Sequence, residues 1–139
     1  INDDLPMALQ IGADGVHLGR DDGDIAAARA ALGPSRILGV SCYADMANAE
    51  AAAAAGASYI AFGSMHASPT KPHAPRAPLI LLSQAHSRFA LPVAAIGGIT
   101  LENAASTIAA GADMLAVVTD LFDTMDISSR ARAYAQLFV

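Results

Sequence analysis

Short apolar runs that end in glycine or a hydroxyl residue recur along this chain at an almost constant spacing. The ends fall near Gly19, Ser41, Gly63, Gly97 and Thr119, which makes the steps 22, 22, 34 and 22 residues. A unit of this length holds one short strand, a loop, one helix and a turn, and its repetition predicts parallel strands joined by crossover helices. The runs are apolar throughout rather than alternating, as expected for strands covered on both faces. The spacing therefore predicts an α/β fold with a parallel sheet.

Glycines, capping residues and apolar periodicity mark the predicted elements between these ends. Strands are predicted at 15–19, 37–41, 58–62, 91–96 and 114–118. Helices are predicted at 5–10, 25–32, 45–55, 79–88, 101–110 and 128–138. Aspartate or threonine at the start of several helices can accept a hydrogen bond from a first-turn backbone N–H. Strand and helix thus alternate along the chain.

Two α/β architectures fit this alternation. Five strands in 139 residues suit an open, flavodoxin-like sheet, and they also suit most of a TIM (β/α)8 barrel without its first strands. The segment Gly97-Gly98-Ile99-Thr100 favours the barrel, because barrel enzymes often bind phosphate with the loops after their last two strands. We expect an incomplete barrel that runs from about the end of strand 3 to helix 8. Residues 1–139 then form a single domain that is truncated at its N-terminus.

The one long step contains a loop rich in hydroxyl, cationic and proline residues, Ser68-Pro69-Thr70-Lys71-Pro72. The prolines stiffen its backbone, and its hydroxyls and lysine can bind the oxygens of a phosphate. A solvent-exposed, proline-rich turn is the alternative interpretation. Loops of this length are usually functional, which favours phosphate binding.

Polar residues gather where the predicted strands end. In a parallel α/β fold all carboxyl ends of the strands lie on one side, and sites form there. We therefore expect one site that collects residues from separate strand ends. They are Asn2, Asp3, Asp21, Asp22, Ser41, Ser68, Thr70, Lys71, Gly97, Gly98 and Thr119.

Charge and composition argue against some classes of binding partner. The net charge is -5 and the basic residues are scattered, which argues against a nucleic-acid surface. No apolar run reaches the roughly 18 residues that a membrane span needs, and no signal segment opens the chain, so we expect a cytoplasmic protein. Cys42 is the one cysteine and is predicted to be a small buried residue. A homo-oligomer is compatible with these features.

Six motifs, in order and across the whole chain, resemble the thiamine phosphate synthase family. They are Ile1-Asn2-Asp3, Ala13-Asp14-Gly15-Val16-His17-Leu18-Gly19, Gly39-Val40-Ser41, Ser68-Pro69-Thr70-Lys71, Ala95-Ile96-Gly97-Gly98-Ile99-Thr100 and Val117-Val118-Thr119. The resemblance implies a small TIM barrel of thiamine biosynthesis, which couples 4-amino-2-methyl-5-pyrimidinylmethyl diphosphate with 4-methyl-5-(2-phosphoethyl)thiazole. The products are thiamine phosphate and diphosphate, and the diphosphate leaves dissociatively with the assistance of Mg2+.

The resemblance also implies roles for individual residues. Asp3 and Asp22 correspond to Mg2+ ligands. Ser41 and Lys71 correspond to catalytic residues that, with Asn2, contact the pyrimidine diphosphate. The thiazole-phosphate side comprises Ser68, Pro69, Thr70, Gly98, Val118 and Thr119. From the residues alone, Asp22 can also be read as a helix-start carboxylate and Ser41 as a strand-end hydroxyl.

The chain departs from the family pattern at several points. Arg20-Asp21-Asp22 stands where relatives usually have Gln-Glu-Asp, His66 stands where an aromatic residue is common, and Thr119 replaces a frequent serine. The family's Gln-x-Arg-x-Lys motif, which binds the pyrimidine diphosphate, belongs to strands that should precede Ile1. We therefore expect the 139 residues alone to be inactive and the intact protein to be the synthase.

Two alternative functions fit part of this pattern. A barrel of the thiazole tautomerase type binds similar phosphates but isomerises its substrate, and Lys71 and the two aspartates argue against it. A non-catalytic phosphate-binding barrel is supported only by the missing arginine and lysine motif. His17 lies in the middle of a predicted strand and is interpreted as a structural histidine.

Overall fold

A parallel sheet of five strands forms the centre of the structure, a computed structural model that describes residues 1–67 and 75–138. The strands are β1 (Gly15–Leu18), β2 (Ile37–Tyr43), β3 (Tyr59–Phe62), β4 (Val93–Ile96) and β5 (Met114–Ala116). Each strand pairs in parallel with the next in chain order. An open flavodoxin-like sheet instead reverses its strand order at a switch point. The unbroken order across the described residues is that of a barrel wall, which confirms the incomplete barrel over the open sheet.

The first three residues continue this order beside β1. Asn2 forms a parallel bridge with His17. The Asp3 N–H donates to the His17 carbonyl at 2.8 Å, and the His17 N–H donates to the Ile1 carbonyl at 2.9 Å. Ile1-Asn2-Asp3 therefore occupies a further strand position, as expected for the end of a barrel strand.

Helices follow the strands in alternation. They are α1 (Leu5–Gln10), α2 (Ile25–Leu32), α3 (Met46–Ala54), α4 (Ile80–Arg88), α5 (Leu101–Ala109), α6 (Thr119–Phe122) and α7 (Ile127–Ala135), followed by a 3-10 turn at Gln136–Phe138. Four begin after an aspartate whose carboxylate accepts a first-turn backbone N–H: Asp4, Asp24, Asp45 and Asp126. These caps explain why the helix starts could be predicted from the sequence. Within the described part of the chain, no helix has the length and apolar character needed to cross a membrane.

One element near the end of the chain differs from the prediction. The strand predicted at 114–118 ends at Ala116, and Thr119 begins the four-residue helix α6. Locally, the β-branched pair before Thr119 favours a strand. Contacts from α7 override that preference, because the Tyr134 hydroxyl donates to Asp120 Oδ2 at 2.6 Å and Arg130 Nη1 lies 3.2 Å from the same oxygen. The chain therefore leaves the sheet earlier than the sequence predicts.

Helices cover one face of the sheet. The side chains on this face are buried: Val16, Leu18, Leu38, Val40, Cys42, Ile60, Phe62, Val93 and Ala95. On the opposite face, the strand register aligns His17, Gly39 and Tyr59, and Ile37 and Ile96 are exposed there. The apolar strands predicted that both faces of the sheet are covered. The structure shows this covering on the helical face. A barrel wall has this asymmetry, because helices surround its outside and its inner face turns toward the barrel axis.

Arg29 joins the loops at the amino-terminal edge of the sheet. Its Nε donates to the Gly56 carbonyl, and its Nη1 donates to the carbonyls of Gly33 and Arg36, each at 2.8 Å. Its Nη2 donates to the Ser58 hydroxyl at 2.9 Å. Four hydrogen bonds from this guanidinium thus hold helix ends to strand starts, so its role is structural. The candidate site lies at the other edge of the sheet.

Cys42 lies on the helical face of β2 and is fully buried, as predicted. Burial raises the pKa of its thiol to about 12, so very little thiolate forms at pH 8. We expect a thiol reagent to modify Cys42 at least about 100-fold more slowly in the native protein than in guanidinium chloride. Mass spectrometry of the Cys42 peptide measures both rates. Similar rates would show that β2 opens readily from the sheet.

Candidate functional site

The two aspartates predicted to bind Mg2+ lie at the carboxyl edge of the sheet. Asp3 follows the bridge beside β1, and Asp22 lies in the loop after β1. Burial lowers the pKa of His17, and the negative charges of Asp3 and then Asp22 oppose this shift. Both carboxylates therefore act electrostatically on the same imidazole. The two residues belong to separate predicted strand ends, and their pairing as metal ligands is what the family resemblance implies.

Asp22 is held by a hydrogen bond to the backbone of Gly19, at the end of β1. The Gly19 N–H donates to Asp22 Oδ2 at 2.7 Å. A Cβ at position 19 would lie 2.9 Å from that oxygen and 3.1 Å from the Tyr43 hydroxyl. The glycine thus allows the carboxylate to fold back over the end of β1. This contact gives Asp22 a defined position, beyond the helix-start role that remained as an alternative.

Asp3 is held in an uncommon backbone conformation. Its φ is 66°, a left-handed value that aspartate tolerates better than most residues. The hydrogen bond from its N–H to the His17 carbonyl fixes this conformation. Strained residues of this kind occur often at functional sites.

The donor set at this edge fits magnesium. No group of three or more histidine, cysteine, aspartate or glutamate side chains able to hold a metal occurs in residues 1–67 and 75–138. Mg2+ typically takes one or two protein carboxylates and completes its octahedral shell with water and substrate phosphates. Asp3 and Asp22 are donors of the kind that Mg2+ accepts.

Ser41 belongs to a hydrogen-bonded network with His17 and Tyr59. His17 Nε2 lies 2.8 Å from the Ser41 hydroxyl, and His17 Nδ1 lies 2.8 Å from the Tyr59 hydroxyl. The two rings stack with centroids 5.6 Å apart. Since the imidazole is neutral, one of its nitrogens donates and the other accepts. The network fixes the orientation of the Ser41 hydroxyl at the carboxyl edge, so His17 has a positioning role as well as a structural one.

Tyr59 is a member of this network that was not predicted from the sequence. Its ring lies over Gly39, where a Cβ would come within 2.2 Å of the ring. Two features of the sequence indicate this contact: a glycine inside an apolar strand, and a tyrosine at the start of the next one. Their pairing became visible only through the register Gly39 to Tyr59.

The Gly97-Gly98 turn packs against the segment that leads into the proline-rich loop. The His66 N–H donates to the Gly97 carbonyl at 2.9 Å. A Cβ at Gly98 would lie 2.2 Å from the Ala67 carbonyl oxygen, and the φ of Gly98 is 62°. The Asn103 side-chain amide donates to the Gly98 carbonyl at 2.9 Å. Gly98 is therefore required by packing in addition to any contact with phosphate.

Four predicted site residues, Ser68, Pro69, Thr70 and Lys71, lie outside the described residues. The segment that precedes them ends at Ala67, against Gly98. Val118 and Thr119 follow β5, the neighbour of β4, and the Val118 side chain is exposed. The described strand ends thus bring Asn2, Asp3, Asp22, Ser41, Gly98, Val118 and Thr119 to the carboxyl edge of one sheet.

His66 makes a structural contact beside this turn. Its Nε2 lies 3.1 Å from the hydroxyl of Thr107, and that hydroxyl donates to the Asn103 carbonyl at 2.9 Å. Thr107 is fully buried. Family members often have an aromatic ring at this position. Here the His66 imidazole is anchored to α5.

Comparison with known proteins agrees with this arrangement. A family model described as thiamine monophosphate synthase matches residues 1–121. The thiamine-phosphate synthase of Azoarcus sp. (strain BH72) is 59% identical over 138 residues, which are 99% of this chain and 67% of that protein. The corresponding protein of Aromatoleum aromaticum is also 59% identical, with 99% of this chain and 66% of that protein covered. The chain therefore spans about two thirds of the length of these curated relatives.

Solved structures show the same relationship. A thiamine phosphate pyrophosphorylase from Pyrococcus furiosus superposes with a TM-score of 0.84 at 31% identity, over 99% of this chain and 65% of that one. A 3-hexulose-6-phosphate synthase superposes with a TM-score of 0.71 at 22% identity, over 97% of this chain and 67% of that one, and shows the shared fold. Together with the family match over most of the sequence, these similarities show that the chain belongs to the thiamine monophosphate synthase family.

Proposed function

We propose that the intact protein couples 4-amino-2-methyl-5-pyrimidinylmethyl diphosphate with 4-methyl-5-(2-phosphoethyl)thiazole to give thiamine phosphate and diphosphate. The observation that carries this proposal is the family match over residues 1–121. It is supported by the electrostatic effect of Asp3 and Asp22 on the pKa of His17 and by the hydrogen bond between His17 and Ser41. Two carboxylates and a fixed hydroxyl suit a substrate that brings its own phosphate oxygens to a metal.

The chain's residues would mainly bind and orient the pyrimidine diphosphate. Asp3 and Asp22 would hold Mg2+, which supplies positive charge for the departing diphosphate. The Asn2 amide, the Ser41 hydroxyl and the Lys71 ammonium would contact the diphosphate oxygens, where negative charge grows as the bond breaks. The bond between the methylene carbon and the diphosphate oxygen breaks, and its electron pair leaves with the diphosphate. The hydrogen bond between His17 and the Ser41 hydroxyl supports this role, because it restrains the hydroxyl.

The thiazole phosphate would bind at the neighbouring strand ends. Ser68, Thr70 and the backbone near Gly98 would donate hydrogen bonds to its phosphate, at the start of α5. Pro69, Val118 and Thr119 would complete this side of the pocket. The thiazole nitrogen then donates its lone pair to the methylene carbon and forms the new C–N bond. Positioning two substrates for this encounter accounts for much of the expected rate enhancement.

An assay with both substrates tests the proposal. We expect thiamine phosphate to form only with the pyrimidine and thiazole substrates together, and to fall to background when EDTA removes divalent ions. Isomerisation of a thiazole phosphate alone, without Mg2+, would support the tautomerase alternative. Calorimetric binding of both phosphates without turnover would support a non-catalytic barrel.

We also propose that the 139 residues by themselves are inactive. Ile37 and Ile96 are exposed on the inner face of the described sheet, and the chain covers 67% and 66% of the length of two curated relatives. The expected result is no thiamine phosphate from this chain under conditions in which the intact protein is active. Robust turnover by the 139-residue chain would refute this part of the proposal.

A further inference from the structure

Strand β2 carries an irregularity at its carboxyl end that redirects one side chain. Ser41 pairs with Ala61 and Tyr43 pairs with Phe62, so one extra residue lies on β2 between these pairs. Tyr43 has a φ of 58°, which is unusual for an aromatic residue. The Gly63 N–H donates to the Tyr43 carbonyl at 3.0 Å and keeps this bulge attached to β3. Bulges near sites commonly re-aim a side chain.

The redirected tyrosine contacts the loop that carries Asp22. The Arg20 backbone N–H donates to the Tyr43 hydroxyl at 3.0 Å. The Arg20 guanidinium carbon lies 4.6 Å from the centre of the Tyr43 ring. Since Tyr43 is 38% exposed, core packing does not account for its strained backbone. The side chain that this backbone redirects makes its contacts with Arg20.

Two successive backbone amides fix this loop from two sides. The Gly19 N–H bonds to the Asp22 carboxylate, and the next N–H, that of Arg20, bonds to the Tyr43 hydroxyl. A loop held at only one of these points could rotate and carry the carboxylate away from the edge. Gly19 leaves room for both contacts, because a Cβ at this position would lie close to both the Asp22 carboxylate and the Tyr43 hydroxyl.

We propose that Tyr43 is a positioning residue for the cation site, and that its hydroxyl holds the 19–22 loop so that Asp22 faces Asp3. The effect of Tyr43 on catalysis rests on the proposed function. Its effects on cation binding and on the 19–22 loop can be measured without turnover. Removal of a residue that supports a metal ligand typically lowers metal affinity by about 10–100-fold.

The test compares Tyr43→Phe with Tyr134→Phe in the intact protein. Each variant loses one hydroxyl and keeps its ring, and the Tyr134 hydroxyl bonds to Asp120 rather than to the 19–22 loop. Mn2+ binding is measured by electron paramagnetic resonance with inorganic diphosphate present. We expect Tyr43→Phe to weaken Mn2+ binding by about 10-fold or more and Tyr134→Phe to leave it unchanged.

Two further readouts separate positioning from general destabilisation. In Tyr43→Phe, the Arg20 amide should exchange with solvent faster while amides in β3 keep their protection. The Mg2+ concentration for half-maximal turnover should rise, with kcat at saturating Mg2+ nearly retained. Unchanged Mn2+ binding together with an unchanged Arg20 amide would overturn the inference.

Gly19→Ala offers a second route if Tyr43→Phe fails to fold. Its methyl group would push the loop away from Tyr43 and Asp22, so the same loss of Mn2+ affinity is expected, and normal affinity would count against the proposal. Wild-type protein that binds Mn2+ and diphosphate but makes no thiamine phosphate would contradict the proposed function alone. Loss of cation binding in Tyr43→Phe would still support the inference in that case.

Discussion

Replacing Asp22 with asparagine is expected to lower thiamine phosphate formation by at least about 100-fold, since loss of an outer support alone typically costs 10–100-fold. Asparagine keeps an oxygen that can accept the Gly19 N–H, so the fold of the loop should survive. The charge that attracts the divalent ion is removed, and stabilisation of the departing diphosphate is lost with it. Steady-state rates at increasing Mg2+ concentration measure this effect.

Asp21→Asn is the matched control for this variant. Asp21 is adjacent in the chain and exposed. It is among the strand-end residues expected near the site, but the family resemblance does not assign it as a metal ligand. It should keep both the rate and the Mg2+ dependence of the wild type. Asp3→Asn should behave like Asp22→Asn, because asparagine also tolerates the left-handed backbone observed at Asp3. Equal activity of the Asp21 and Asp22 variants would remove Asp22 from the cation site.

The second large effect is expected for Gly98→Ala. Alanine at a φ of 62° is strained by about 1–2 kcal/mol, and its Cβ would lie 2.2 Å from the Ala67 carbonyl oxygen. Because the obstacle is backbone, the segment that leads into the proline-rich loop must shift. We expect a loss of about 3 kcal/mol in the free energy of unfolding. A fall of about 100-fold in kcat/KM for the thiazole phosphate is also expected, since small displacements of positioning groups can cost that much.

Gly12→Ala separates backbone strain from collision. Gly12 has a similar φ of 66°, but a Cβ there meets nothing within 4 Å. It should therefore lose only about 1–2 kcal/mol and keep its kinetic constants. Urea denaturation and kinetics on both variants give the comparison. If Gly98→Ala lost no more stability than Gly12→Ala, the close approach of Gly98 to Ala67 would not exist in solution.

Local signals in the sequence were sufficient for the order and type of most elements. Aspartate caps and glycine stops predicted the observed bounds of α2. They predicted the bounds of α1 and α3 to within one residue. These signals act over four or five residues, so they can be read without knowledge of the fold. The predicted strand at 114–118 was too long because Asp120 is drawn into contacts with Tyr134, which lies 14 residues away.

The sequence by itself determined that this chain alternates strand and helix and places carboxylate, hydroxyl and glycine residues at its strand ends, because spacing and capping are local properties. Only the tertiary structure decided that the sheet keeps chain order, that Ser41 is oriented by His17 and Tyr59, and that Tyr43 reaches back to the Asp22 loop. Those contacts join residues 23 or more positions apart. They depend on strand register and on one bulge, which the packing of neighbouring strands sets and no short stretch of sequence encodes.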